Sequence, residues 1–335
     1  MEKIMLDFTQ IIGHEGIIKH LQVAISADKI SHAYIFHGEE GMGKKTLALT
    51  FAKTLQCIEK RYYPCNNCKS CKQADSNNHP DIVWITHEKA SIGVDDIRTQ
   101  VNADIQVMPY QSPYKIYIID SADKMTENAQ NALLKTIEEP PEYAIIILLA
   151  CNIQSLLPTI ISRCVVLDLK PVDRQLIKEY LMEKLQIPDY VAGIAADFSG
   201  GNVGKAIKYA SSDDFESKKE DIFHILRYID DMELHEIISG IKSISENKAS
   251  INDYIDLMML WFRDVLMLKA TNDPNLLLLK DEFQIIKKQA NIRSYEEIEK
   301  IIRAMDEAKA KIKANVNIDI TIELMLLSIK ENHNG

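Results

Sequence analysis

The sequence predicts an α/β fold built on a parallel five-stranded sheet and followed by an all-helical region. Three observations predict it. Between Ala33 and Leu169, five short apolar runs alternate with segments of helical period. A glycine-rich loop, GEEGMGKKT, lies between the first run and the first of those helices. Beyond Lys170-Pro171 the strand-like runs stop, and nearly everything that follows has helical spacing.

The runs are AYIF from Ala33, DIVWI from Asp81, KIYIID from Lys115, AIIILLA from Ala144 and VVLDL from Val165. Leu47, Ala48, Phe51, Ala52 and Leu55 recur at helical spacing after the first run, as do Ala129, Leu133, Leu134 and Ile137 before the fourth. Pro140 and Pro141 stop the second of these helices, because proline lacks the donor that a continuing helix needs. The segment from Val172 to about Ser211 is short, turns at Ser199-Gly200-Gly201-Asn202 and reads as a small helical lid. The polar stretch SSDDFESKKE from Ser211 reads as a linker. YIDLMMLWFRDVLMLKA, YEEIEKIIRAMDEAKAKI and IDITIELMLLSIK then predict a bundle with strongly apolar faces. The expected boundaries are 1–169, 170–211 and 212–335.

Length and composition agree with several folded units. A single core usually stops growing near ~250 to 300 residues, and this chain has 335, of which 46% are apolar and 26% charged. No run approaches the roughly 18 consecutive apolar residues of a membrane span, so no membrane association is expected and a cytoplasmic location is the default. The formal net charge of -10 repels phosphate backbones and makes an autonomous DNA binder a poor reading.

Gly38, Gly41 and Gly43 with Lys44 match the spacing of a phosphate-binding loop, in the strand-to-helix setting its mechanism needs. Backbone N–H groups wrap the phosphates there, and the lysine reaches the outer ones. The next position should carry a hydroxyl to ligate magnesium, yet it is Lys45, and a cation cannot ligate a cation. Thr46 is turned away by about 100 degrees of helix. Asp120, at the end of KIYIID, is suited to hold magnesium, but Ser121 stands where many such ATPases place a glutamate to polarise water. Asp123 is the nearest acid. The site therefore reads as a degenerate nucleotide site: ATP or ADP binding stays open and hydrolysis is not expected.

Cys57, Cys65, Cys68 and Cys71 are crowded together, whereas Cys151 and Cys164 stand apart. Two-residue gaps let thiolates converge on one tetrahedral ion, so a structural zinc with four sulfur ligands is the first reading, in a module over about residues 57–76. An iron–sulfur cluster is the alternative, since consecutive C-x-x-C spacings also occur there.

IIGHEGIIKHLQ from Ile11, SHAYIFHGEEGMGKKT from Ser31, NAQNALLKTIEEPP from Asn128 and LLPTIISRC from Leu156 resemble the clamp-loader branch of the AAA+ ATPases. With the cysteine cluster and the damaged ATP site, the chain is similar to the delta-prime family of subunits of the bacterial DNA polymerase III clamp loader. The resemblance implies that Arg163, in Ser162-Arg163-Cys164, is an arginine finger acting on a neighbour's ATP. It also implies that Gly204 occupies the place of a sensor arginine, and that Asn152 matches a polar sensor residue, although a plain turn residue is as good a reading of Asn152. It implies a zinc module inserted at the cysteines, and the gamma/tau ATPase subunits and a delta subunit as partners. The sliding clamp and primer–template DNA are then met through the complex, and the C-terminal helices form an oligomeric collar. Two other readings stay open: an active AAA+ motor subunit, because Lys44, Asp120 and Arg163 survive, and an adaptor acting through the cysteine insert.

Overall fold

A computed structural model of the chain describes residues 7–59, 61–85, 91–211, 215–233, 236, 251–314 and 316–331. Residues 212–214 of the expected linker, and Lys60 within the cysteine module, lie outside the described residues. Two compact units divide at Ala210 and Ser211.

The first unit holds β1 (Ala33–His37), β2 (Ile82–Ile85), β3 (Lys115–Ile119), β4 (Ala144–Ala150) and β5 (Val165–Asp168), all parallel, in the order β2-β3-β4-β1-β5. β4 shows why the run AIIILLA is apolar throughout. It is buried along its whole length; Ile146 and Leu148 enter one core, and Ile145, Ile147 and Leu149 the other. Alternate side chains of a strand point to opposite faces, and a parallel sheet covered by crossover helices leaves neither face to water.

One face is covered by α1 (Glu15–Ser26) and α2 (Lys44–Leu55), with Leu21, Leu47 and Phe51 fully buried. α3 (Lys69–Asp75) adds Ala74 to that face. The other face receives α4 (Val94–Ile97), α5 (Glu127–Glu138) and α6 (Pro158–Ile161). Thr126 caps α5 by accepting the Ala129 N–H, and the helix ends at Glu138, just before the two prolines, as the sequence requires. Beyond β5, α7 (Arg174–Leu185), α8 (Asp189–Phe198) and α9 (Val203–Ser211) complete the unit.

The second unit is helical: α10 (Phe215–Tyr228), α11 (Ile251–Thr271), α12 (Phe283–Ile292), α13 (Tyr295–Lys313) and α14 (Ile318–Glu331). Trp261 and Phe262 of α11 are fully buried, and the Trp261 Nε1–H donates to Gln289 at 2.7 Å. A capping box of Ser294 and Glu297 starts α13. No helix among the described residues is long and apolar enough to cross a membrane.

Candidate functional site

The phosphate loop sits between the C-terminal end of β1 and the first turn of α2, where parallel sheets place ligands. Gly41 and Gly43 have φ of +88° and +90°, a region that favours glycine. Lys44, the first residue of α2, turns back on its own loop and is 8% exposed. Its Nζ donates to the carbonyls of Gly38 at 2.5 Å and Glu39 at 2.8 Å, and lies 3.2 Å from the Cys151 sulfur. The next carbonyls of the loop are taken by the segment around the start of α9. Asn202 Nδ2 donates to Glu40 at 2.7 Å, and the Gly204 N–H to Gly41 at 2.9 Å.

Lys45 Nζ lies 2.7 Å from Asp120 Oδ2, so the two positions at which the sequence pattern places magnesium ligands pair with each other. Ser121 is in the left-handed region with φ of 53°. Asp123 Oδ1 accepts the Cys151 N–H at 3.0 Å, a turn-holding bond. Asn152 is exposed and accepts the Gln154 N–H at 3.0 Å, which caps a short 3-10 turn.

Gly204 touches the loop directly. A Cβ there would lie 2.7 Å from Gly41 Cα and 2.8 Å from Gly41 O, both backbone atoms. In this packing no side chain fits at the position that the family resemblance gives to a sensor arginine. Asn202, which reaches across to the loop, was not singled out by sequence reasoning; it sits in a turn and carries no local signal of a distant partner.

Arg163 follows α6 and precedes β5. Its guanidinium pairs with Glu138 at 2.9 Å and donates to the Thr159 carbonyl at 3.0 Å. The side chain is 41% exposed. Leu169 lies beside Gly38 at the other end of β5. The run from Arg163 to Leu169 spans roughly 20 Å at ~3.3 Å per residue, so Arg163 and this chain's own phosphate loop lie at opposite ends of the parallel strands.

The four clustered cysteines converge: the sulfurs of Cys57, Cys65, Cys68 and Cys71 all lie within 4.8 Å of one another, with Cys65 and Cys71 at 4.0 Å. A tetrahedral zinc with Zn–S bonds of ~2.3 Å needs its sulfurs about 3.8 Å apart, so the set fits such an ion after a small contraction. Backbone N–H groups of Cys65, Cys68 and Cys71 point at the sulfurs of Cys57, Cys65 and Cys68, each at 3.4 Å. Burial pushes the Cys68 thiol up, but the N–H groups of Cys71 and Ile58 and the neighbouring thiols outweigh it and bring Cys68 down to about 7. Burial pushes Cys71 well up. The cluster can hold a metal ion such as zinc, and four sulfur ligands leave no open position for chemistry.

Comparison with known proteins gives the family. A family described as DNA polymerase III, delta subunit, matches residues 13–173. The DNA polymerase III subunit delta' of Bacillus subtilis is 31% identical over 318 residues, covering 94% of this chain and 95% of that protein. The tau subunit of the same organism is 32% identical over 286 residues, which is 78% of this chain but 50% of tau. Among solved structures, a gamma-subunit-related protein of Thermotoga maritima covers 95% of this chain and 99% of its own, at 21% identity and a TM-score of 0.47. With its delta' relative matched nearly end to end, the chain belongs to the delta-prime family of DNA polymerase III subunits.

Proposed function

We propose that this chain is a non-hydrolysing AAA+ subunit of a DNA polymerase III clamp loader, and that it completes a neighbouring ATPase subunit's site with Arg163. The observation that carries the proposal is the separation of roles along the strands. The chain's own loop is filled by Lys44, the Lys45–Asp120 pair and Gly204, while Arg163 stands at the other end of the strands with a partly exposed guanidinium. A guanidinium is permanently charged and planar, and it stabilises phosphoryl-transfer charge without proton chemistry. Nucleotide can enter the degenerate loop only after the Lys44 carbonyl bonds break.

In this reading residues 1–169 form the nucleotide-binding-like domain with a zinc module, residues 170–211 its lid, and residues 212–335 a collar. The partners are gamma/tau subunits and a delta subunit, with the sliding clamp and primer–template DNA engaged by the whole assembly. Ile320 and Leu324, one turn apart on α14, are each 55% exposed, and such an apolar stripe suits burial against another subunit.

The test is a reconstituted complex carrying Arg163→Ala. Assembly is expected to persist while one ATP site loses about 10³ or more in hydrolysis rate; unchanged hydrolysis and loading would sink the assignment. The active-motor reading is separated from it by the isolated chain, because ATP turnover that disappears on Lys44→Ala would overturn the non-hydrolysing role.

A further inference from the structure

The cysteine module is joined to the rest of the first unit by a closed ring of buried hydrogen bonds. The Asp81 N–H donates to His79 Nδ1 at 3.1 Å. That bond leaves the proton of neutral His79 on Nε2, 2.9 Å from the Ser70 hydroxyl oxygen. Burial lowers the His79 pKa and so favours this neutral form. Ser70 in turn donates to the Gln56 carbonyl at 2.7 Å. Gln56 Nε2 closes the circuit on the Asp81 carbonyl at 3.2 Å and adds a bond to the Tyr114 carbonyl at 2.6 Å.

Two members of the ring are chain neighbours of cysteine ligands: Gln56 precedes Cys57 and Ser70 precedes Cys71. The ring also holds a loop. The Asp81 carboxylate is buried and accepts three consecutive N–H groups, from Tyr110 at 2.5 Å, Gln111 at 3.0 Å and Ser112 at 3.1 Å. Gln111 Nε2 reaches α3 directly, donating to Gln73 Oε1 at 2.5 Å, and the Ser112 hydroxyl lies 3.3 Å from His79 Nε2. That loop presents Val107, Met108 and Tyr110 to solvent at 59%, 72% and 84% exposure. Three neighbouring apolar side chains are thus held out by an anchored backbone.

We infer that metal at the four cysteines sets the order of the Val107–Ser112 loop, transmitted through Ser70, Gln73 and His79 to Asp81. α3 has only seven residues, too few to be stable as an isolated helix. Cys68, its N-cap, and Cys71, in its first turn, tie it to the cluster, so metal release loosens the helix that carries the Ser70 and Gln73 contacts. The inference rests on the structural-metal reading, and its test separates the two.

The test is amide hydrogen exchange of the full chain, zinc-loaded and after chelation under reducing conditions, with zinc measured in the same samples. Exchange at Tyr110, Gln111 and Ser112 is expected to rise about tenfold on metal removal, the scale set by losing one hydrogen bond's support, while the β4 amides keep their protection. The double variant Ser70→Ala/Gln73→Ala keeps all four ligands. It is expected to bind one zinc per chain and still show the faster loop exchange. A chain that takes up no zinc overturns the metal reading and the inference with it. Zinc-loaded and zinc-free chains that exchange alike at residues 110–112, or a double variant protected like the parent, overturn the coupling while leaving the metal reading intact.

Discussion

The two ends of α2 carry two candidate ion sites with contrasting surroundings. At its start, Lys44 and Lys45 lie in a cradle shaped for phosphate and magnesium, and the protein's own groups fill it. Just past its end, Cys57 joins three other thiols whose sulfurs all converge within 4.8 Å of one another. At the loop, donors and acceptors of the chain satisfy one another; at the cysteines, like groups converge. Two lysines on this helix show the same contrast. The Lys45 side chain in its pair with Asp120 is 67% exposed, whereas Lys53, in its pair with Asp75 at 2.6 Å, is fully buried.

The largest effect expected from breaking that contrast is at the cysteine end. Lys53→Met removes the cation and leaves Asp75 buried without its partner, a loss of roughly 3–5 kcal/mol by analogy with other buried pairs. Denaturant unfolding of the variant measures it; a change under about 1 kcal/mol would mean that the pair does not hold α3 to α2.

A smaller effect is expected where the lid segment meets the loop. Gly204→Ala forces a methyl against the Gly41 backbone, an overpacking that costs about 1–3 kcal/mol and lowers the melting temperature of the first unit by several degrees. A neutral result would show that α9 lifts from the loop with ease.

The smallest concerns Lys45→Thr, which restores the hydroxyl at the metal-ligand position. Because the Lys45–Asp120 pair is largely solvated, stability is expected to move by less than about 1 kcal/mol. No ATP turnover by the isolated variant is expected, since Ser121 and Gly204 are unchanged. Turnover appearing with this one substitution would show that Lys45 alone had silenced the site.

Much of the site was legible in the residues because its signals are local. Gly38 to Lys44, the cysteine spacing and Ser162-Arg163-Cys164 each lie within a few residues, and the missing hydroxyl at Lys45 is visible as an absence at a known spacing. The contacts that fill the cradle were not legible. Asn202 meets the loop from 162 positions away, Glu138 meets Arg163 across two elements, and Asp81 reads as the first residue of an ordinary strand although it anchors three distant N–H groups.

By itself the sequence determined the parallel α/β architecture, the helical C-terminal half and the convergence of four thiols. Apolar period, glycine positions and ligand spacing act over short stretches of chain, so each can be read in place. Only the tertiary structure decided that Lys45 pairs with Asp120, that α9 leaves no room at Gly204, and that Arg163 pairs with Glu138 at the other end of the strands from its own loop. Those outcomes depend on parallel strand register and on the packing of segments far apart in sequence, where a side chain's partner is set by the fold.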